Sequence, residues 1–305
     1  MAYKDFLDKE LILFSRYDNA RSIPCVIDGF KPSQRKVLFG AFLRNLVREI
    51  KVVQFSGYVS EHAAYHHGEQ SLNGTIISMA QDFVGSNNLN FLVPNGQFGT
   101  RIMGGKDSAS PRYIYTYLQP ITKYVFREED EPLLAKQEEE GVVIEPKHFL
   151  PILPTVLVNG ATGIGTGWST TICNHNPVEV VDRLIDRLNG SSSAEPLYPW
   201  YRGFTGCFKR DKNAPSTSFQ VYGHCQWIDS TTLVINELPV GKWTQDYKMF
   251  LCELLQQGKL ISGFKENHTD TEVAFTVTVK ESVAKELIKS EEECMKTFKL
   301  VSTMS

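Results

Sequence analysis

Arg112 and Tyr113 stand side by side in Gly104-Gly-Lys-Asp-Ser-Ala-Ser-Pro-Arg-Tyr-Ile-Tyr-Thr-Tyr-Leu118. A phenol next to a fixed guanidinium is the least equipment needed to attack a phosphodiester and steady the charge that develops. The glycine-serine-proline stretch before the pair cannot continue as a helix or a central strand. The pair therefore sits on a loop running into a strand. The spacing equally fits a packing face, because Tyr113, Tyr115 and Tyr117 would share one side of a strand. Taken alone, the segment is more ordinary as packing than as a nucleophile.

Three other clusters carry possible chemistry. Gly163-Ile-Gly-Thr-Gly-Trp168 follows an apolar run and resembles a dinucleotide loop. That fingerprint needs a small residue where Trp168 stands and a helix directly after, so the nucleotide reading fails. What remains is a tight glycine turn, or a turn that holds Ile164 out as an apolar wedge between base pairs. His66 and His67 sit on a turn into a helix with no third ligand at metal-binding spacing. They fit surface imidazoles and phosphate contacts equally well. Lys31, Arg35 and Lys36 lie on one helix, where isolated basic residues are most simply a solvated face.

A chain of 305 residues with 42% hydrophobic and 22% charged residues suffices for two domains or one large one. No apolar run approaches the roughly 18 residues of a membrane span, and the first residues lack a signal-peptide core. Six scattered cysteines fit a reducing compartment and argue against a disulfide framework or zinc cage. Net charge is −3, yet its distribution is uneven. From Arg16 to Arg112 there are eleven basic and seven acidic residues, and Arg127 to Glu145 is strongly acidic. A basic block followed by an acidic insertion fits a surface with one polyanion-facing side.

Apolar periodicity predicts a helix over Tyr3–Phe14, then a turn at Asn19-Ala20 and a loop-rich passage through Ser22-Ile23-Pro24 and Asp28-Gly29. Pro32 opens a second helix with Val37, Leu38, Ala41, Phe42 and Leu46 as its apolar stripe, and Arg35 and Lys36 outside it. A third runs from about Glu69 to Phe83. With β-like segments over Asn90–Leu118, this fits a helix-turn-helix with a wing. Residues 128–140 read as a solvated loop, Phe149–Val158 as a buried strand, Pro177–Leu188 as a helix and 189–196 as a linker. A separate α+β domain follows from about residue 197. Its strands fall near Phe219–Tyr222, Thr232–Asn236 and Val273–Val279, and its helices near Trp243–Gln256 and Ser282–Glu292.

Several blocks together resemble the breakage-reunion region of a eukaryotic-type DNA topoisomerase II. They are Asp8-Lys-Glu-Leu-Ile-Leu-Phe-Ser15, Asp28-Gly-Phe-Lys-Pro-Ser-Gln-Arg-Lys-Val37, Tyr65-His-His-Gly-Glu69, Gln81-Asp-Phe-Val-Gly-Ser-Asn-Asn88, Gln97-Phe-Gly-Thr-Arg101, Gly104 to Tyr115, Asn159 to Trp168, and Ile235-Asn-Glu-Leu-Pro239. They occur in order across essentially the whole chain. Ser-Ala-Ser-Pro-Arg before the tyrosine is closer to the eukaryotic and large-virus branch than to bacterial gyrase.

The resemblance implies an α+β protein: an N-terminal helix or linker over 1–15, a winged-helix DNA-binding domain over 16–145 and an α/β tower domain with a mixed or antiparallel sheet over 146–305. It makes Tyr113 the nucleophile that becomes linked to a DNA 5′-phosphate, with Arg112 stabilising the pentavalent phosphorus. It implies DNA contacts at Arg21, Lys31, Arg35 and His67 and an intercalating wedge at Ile164, and Lys36, His66 and Lys106 are further candidate DNA contacts beside them. The partners it implies are double-stranded DNA and a second copy in a homodimer. Mg²⁺ held by a TOPRIM domain and ATP bound by an ATPase domain are both expected outside these residues, so no metal ligands are expected within them. The chain is thus expected to be a fragment or one product of a split gene. A nuclear location is implied, with mitochondrial or viral origin as alternatives. The competing functional readings are a DNA-binding and bending module without catalysis, and the bacterial-type counterpart in gyrase or topoisomerase IV.

Overall fold

The computed structural model describes residues 3–191, 196–210 and 218–304; residues 192–195 of the expected linker lie outside them. The fold is α+β with small antiparallel sheets and divides into two compact units. The first comprises Met1–Asp82, Ser86–Phe98 and Ala109–Leu197, and the second Phe83–Gly85, Gly99–Ser108 and Tyr198–Ser305.

In the first unit the N-terminal helix is longer than the sequence periodicity implied. It runs from Tyr3 to Ser22 through a π-helical turn at Leu7–Leu11, so no turn occurs at Asn19-Ala20. It stops because Pro24 disfavours helical geometry at the residue before it, and Ile23 is extended at φ −89°, ψ 123°. The Pro32–Leu43 helix starts with Pro at its first position, and Gln34 Oε1 accepts from the Lys31 N–H at 2.9 Å. The helix predicted from Glu69 ends at Ala80.

Between these lies a helix absent from the sequence reading, Val52–His62. Its buried positions Val52, Phe55, Ser56 and Val59 recur at helical spacing, a signal that could have found it. It packs so closely on the Pro32–Leu43 helix that a Cβ on Gly40 would lie 2.7 Å from Val59 Cγ2. Val37, Leu38, Phe55, Val59, Leu72, Ile76 and Leu92, each fully buried, form the core. Each contributes roughly 1.5–3 kcal/mol from burial. The predicted β-like stretch 90–118 is mostly irregular, with turns over 101–107 and 111–113. Its regular pairing is Tyr115–Thr116 against Ile50–Lys51, with single bridges Leu92–Leu118 and Asn95–Tyr115.

The acidic stretch is exposed but ordered, with a 3-10 turn over Glu128–Leu133 and a hairpin pairing Lys136–Glu139 with Val142–Pro146. The expected strand 149–158 does not form. Pro151 and Pro154 cannot donate to a ladder, and Thr155–Val158 is a single helical turn. Residues 146–197, which the resemblance groups with the later domain, pack within the first unit, and Tyr198–Ser305 within the second. Phe149 N–H donates to Asp28 Oδ2 at 2.9 Å, and Thr155 Oγ1 donates to the Asp28 carbonyl at 2.7 Å.

The second unit holds a four-stranded antiparallel sheet in the order Ile261–Glu266, Phe275–Val279, Thr232–Glu237, His224–Trp227. Alternation puts Leu233, Ile235, Phe275 and Val277 on its buried face, with Leu251 of the Thr244–Gln257 helix in the same core. A three-stranded sheet pairs Phe219–Tyr222 with Cys207–Arg210 and Val301–Met304. The single helix predicted near 282–292 is two, Glu281–Leu287 and Glu291–Thr297. Ser290 caps the second by accepting from Glu293 N–H at 3.3 Å.

Candidate active site and nucleic-acid interface

Tyr113 lies on a tight turn rather than in a strand, its N–H donating to the Ser110 carbonyl at 2.9 Å. Its neighbours Ile114 and Thr116 are buried, whereas the Tyr113 side chain is 77% exposed and Arg112 is also exposed. Tyr115 and Tyr117 are half-buried. The shared packing face therefore does not form, because the turn rotates Tyr113 out of it. Neither the Arg112 nor the Tyr113 side chain has a hydrogen-bond partner among the described residues. The turn is held from below by the start of the Val52–His62 helix. The Val52 and Val53 N–H groups, which have no partner within their own helix, donate to the carbonyls of Ile114 (3.0 Å) and Pro111 (3.1 Å). Ala109 N–H donates to Gln97 O at 2.9 Å on the other side. The result is an unengaged phenol and guanidinium on a backbone that cannot swing freely.

A second cluster gathers on the Ile12–Ser22 helix. Gly163 and Ile164 end the Ala161–Ile164 strand, which pairs antiparallel with Ser169–Ile172. Gly163 and Gly165 face the helix so closely that added Cβ atoms would lie 2.3 Å from the Ser22 carbonyl oxygen and 2.2 Å from Asn19 Oδ1. The two glycines therefore permit the approach, and strand alternation turns Ile164 between them outward, 79% exposed. Thr166 Oγ1 donates to Asp18 Oδ2 (2.7 Å) and Asn19 Nδ2 donates to the Thr166 carbonyl (3.2 Å), which locks the hairpin tip. The Thr166 bond, the largest cause, also holds the Asp18 carboxyl below its ordinary range. Trp168 is exposed beside the wedge.

On the same helix Tyr17 Oη lies 3.0 Å from His67 Nε2. The His67 ring sits between Tyr17 and Tyr65, with centroids 6.2 and 5.6 Å away. This partial burial, and then the nearby Arg21, His66 and Lys36 charges, hold the imidazole below its ordinary value. It is thus neutral near pH 7. Arg21 is exposed and Lys31 half-buried, and neither side chain is paired to an acid among the described residues.

Arg35 and Lys36 do not lie on the solvated helix face expected of them. The Arg35 side chain is 7% exposed and grips the fully buried Asp28 through Nε (2.8 Å) and a second nitrogen (3.2 Å). It also donates to the Phe30 carbonyl at 3.0 Å. The reason is geometric, since Asp28 also accepts from Phe30 and Phe149 N–H and needs a buried counter-charge. Lys36 is likewise engaged, donating to Glu145 Oε2 at 2.9 Å and to the Ala63 carbonyl at 2.5 Å. Burial pushes the Glu145 carboxyl up, against the Lys36 charge that pulls it down. His66 is exposed and contacts Glu139 Oε1 at 3.1 Å. Lys106 is exposed but lies on the 99–108 segment of the second unit.

The structure therefore sets Arg21, the Tyr17–His67 contact and the Ile164 hairpin along the Ile12–Ser22 helix, presents Arg112 and Tyr113 on their own braced turn, and pairs Arg35 and Lys36 with buried acids. Among the described residues no group of three or more His, Cys, Asp or Glu is arranged to hold a metal. Gly163–Trp168 is a strand hairpin rather than a glycine loop opening a helix. No described helix is long and apolar enough to cross a membrane.

Residues 21–305 match the model of the family that comprises the A subunits of DNA gyrase and topoisomerase IV. The chain is 47% identical over its full length to the protein named DNA topoisomerase 2, mitochondrial, of Dictyostelium discoideum, covering 23% of it. It is 50% identical over its full length to DNA topoisomerase 2 top-2 of Caenorhabditis elegans, covering 20%. The chain thus spans about a fifth of the length of these relatives. Among solved structures, the DNA-binding, cleavage and re-ligation domain of Plasmodium falciparum topoisomerase II matches the whole chain at TM-score 0.93 and 47% identity, with 41% of that chain covered. The names of these relatives are those of eukaryotic topoisomerase 2 and not of bacterial gyrase, which removes the gyrase alternative. The match to the family model over residues 21–305 shows that this chain belongs to the DNA gyrase/topoisomerase IV family, on its eukaryotic topoisomerase 2 branch.

Proposed function

We propose that this chain is the DNA-gate segment of a type II topoisomerase, which breaks both strands of one duplex, passes a second duplex through and reseals the break. The observation that carries this reading is the exposed, unpartnered Tyr113 beside Arg112 on a turn braced from beneath. In the proposed step the Tyr113 oxygen attacks a backbone phosphorus. The Tyr113 hydroxyl gives up its proton, the Tyr113 O–P bond forms, the P–O3′ bond breaks, and the departing 3′-oxygen takes up a proton. Arg112 faces the charge that accumulates on the phosphoryl oxygens. One phosphodiester replaces another, so attack by the 3′-hydroxyl reverses the step without a nucleotide.

Arg21 and Lys31 would contact flanking phosphates. His67, held neutral, would offer a hydrogen bond rather than a charge. Ile164 would enter the base stack, where unstacking costs a few kcal/mol and is offset by the contact surface a bent duplex gains. Mg²⁺ and ATP belong, in this reading, to TOPRIM and ATPase domains of the same or a companion chain, and the working enzyme is a homodimer. We take the nucleus as its compartment, with the mitochondrion as the alternative that a mitochondrial relative raises.

The test is Tyr113→Phe in an enzyme reconstituted with those domains. Covalent DNA–protein adduct and supercoil relaxation should both vanish while DNA affinity stays. Unchanged relaxation would refute the reading and leave a binding and bending module. The isolated chain should bind DNA yet form little adduct.

A further inference from the structure

An apolar side chain that enters a base stack has to be aimed. The strands Ala161–Ile164 and Ser169–Ile172 form a two-stranded sheet of their own, and Gly165 N–H closes its turn on the Trp168 carbonyl at 2.8 Å. These bonds fix the shape of the hairpin but not its direction, and a two-stranded ribbon by itself is marginal in water. Its root is held within the first unit. Asn174 Nδ2 donates to the Ser86 carbonyl at 3.0 Å, and Asn159 accepts from Leu89 N–H and donates to the Leu89 carbonyl, both at 2.8 Å. Farther along, Gly163 seats against Ser22, Ile23 and Pro24 at the end of the Ile12–Ser22 helix. Close packing of this kind lets two surfaces slide, whereas a hydrogen bond between fixed groups is directional.

Two consecutive helix residues supply that direction at the tip. Asp18 Oδ2 accepts from Thr166 Oγ1 at 2.7 Å, and Asp18 Oδ1 accepts from Ser22 Oγ at 3.2 Å, so the carboxylate is steadied on its own helix. Asn19 Nδ2 donates to the Thr166 carbonyl at 3.2 Å. Asn19 Oδ1 is buried against Gly165 with no hydrogen-bond partner among the described residues. An unpaired buried acceptor costs stability, so packing alone would not favour this seat. The Thr166 hydroxyl is the largest cause that holds the Asp18 carboxyl low; Ser22, the Thr166 N–H and the Arg21 charge act the same way, and burial opposes them. The carboxylate is therefore ionised near neutral pH, and its bond to Thr166 is charge-assisted and stronger than a neutral one.

We propose that Asp18 and Thr166 are positioning residues for Ile164: their bond, flanked by Asn19, fixes the hairpin tip on the Ile12–Ser22 helix and sets the direction in which the wedge points. The proposal rests on the reading of Ile164 as a wedge. Ile164 is 79% exposed and has little packing of its own to hold it. A tip released from the helix would enter the base stack less often, and the DNA bend would fall although the wedge side chain is intact.

The test uses Thr166→Val, which deletes the hydroxyl at nearly constant shape, and Thr166→Ser, which keeps it. On the 305-residue chain without DNA, hydrogen exchange at the Gly165 amide should rise about tenfold in Thr166→Val, the lower end of what losing a hydrogen bond to a charged group carries. The core amides of Leu72 and Ile76 should stay protected, and Thr166→Ser should restore the unsubstituted rate. With a duplex labelled at both ends, Thr166→Val should lower the bend read by energy transfer, and should lower it no further in an Ile164→Ala background. Unchanged exchange at Gly165, or an equal loss of bend in both backgrounds, overturns the proposal. Should Thr166→Val not fold, Asp18→Ala removes the same bond from the helix side and is read the same way. A bend that Ile164→Ala leaves unaltered would count against the wedge reading, while the exchange measurement still decides whether Asp18 and Thr166 hold the tip.

Discussion

Arg35→Ala separates a structural cation from a DNA contact, and the structure sets the magnitude. The substitution leaves Asp28 fully buried, still accepting from Phe30 and Phe149 N–H but without its counter-charge. Removing one partner of such a pair costs about 3–5 kcal/mol. At roughly 2–4 °C per kcal/mol for a unit of this size, Tm should fall by about 6–20 °C. Scanning calorimetry reads this directly. DNA titrations at several salt concentrations, below the lowered Tm, read the other half. A lost phosphate contact would reduce the slope of log affinity against log salt by about 0.9, so Arg35→Ala should leave the slope unchanged. Arg21→Ala, at an exposed and unpaired position, should do the reverse. If Arg35→Ala lowers the slope by about 0.9 and leaves Tm alone, the assignment of Arg35 to the interior is wrong.

Ile164→Ala should reduce the DNA bend measured by energy transfer between duplex ends, with little change in salt slope, since no phosphate contact is removed; an unaltered bend would exclude the wedge. His67 titrates below the ordinary histidine value of about 6.5 in the folded chain. The unfolded chain therefore takes up this proton first as pH falls. His67 contributes stability that is present above about pH 6.5 and lost on acidification through the lowered value. Comparing Tm of the unsubstituted chain and His67→Gln from pH 8 to pH 5 should show the gap moving against the unsubstituted chain, and a flat or opposite trend would refute the neutral-imidazole assignment.

Much of the local structure is legible in the sequence because its causes are local. Pro32 and Pro177 mark helix starts whatever surrounds them, and strict alternation marks the strands at 219–222, 232–237 and 275–279. The departures also have local causes. Val52–His62 carries apolar groups at helical spacing, yet its polar and glycine positions mask the stripe. Phe149–Val158 has the apolar content of a buried strand, but Pro151 and Pro154 outweigh it. The 99–108 loop gives no hint that it belongs with residues near 237 and 244, because such contacts join positions far apart in the chain.

The amino-acid sequence by itself determined which groups can do the chemistry. Arg112-Tyr113 after a proline and Ile164 between glycines are contiguous signals, and backbone sterics alone turn such residues outward. The tertiary structure alone decided which cations remain available. On sequence Arg21 falls in a loop-rich passage and Arg35 on a helix face, and both read as exposed cations, yet one faces solvent and the other is paired with the buried Asp28. That difference lies in partners brought together by folding, Phe149 and Thr155 beside Asp28 and Glu145 beside Lys36. The availability of a charge is set by its neighbours in space, which no local spacing encodes.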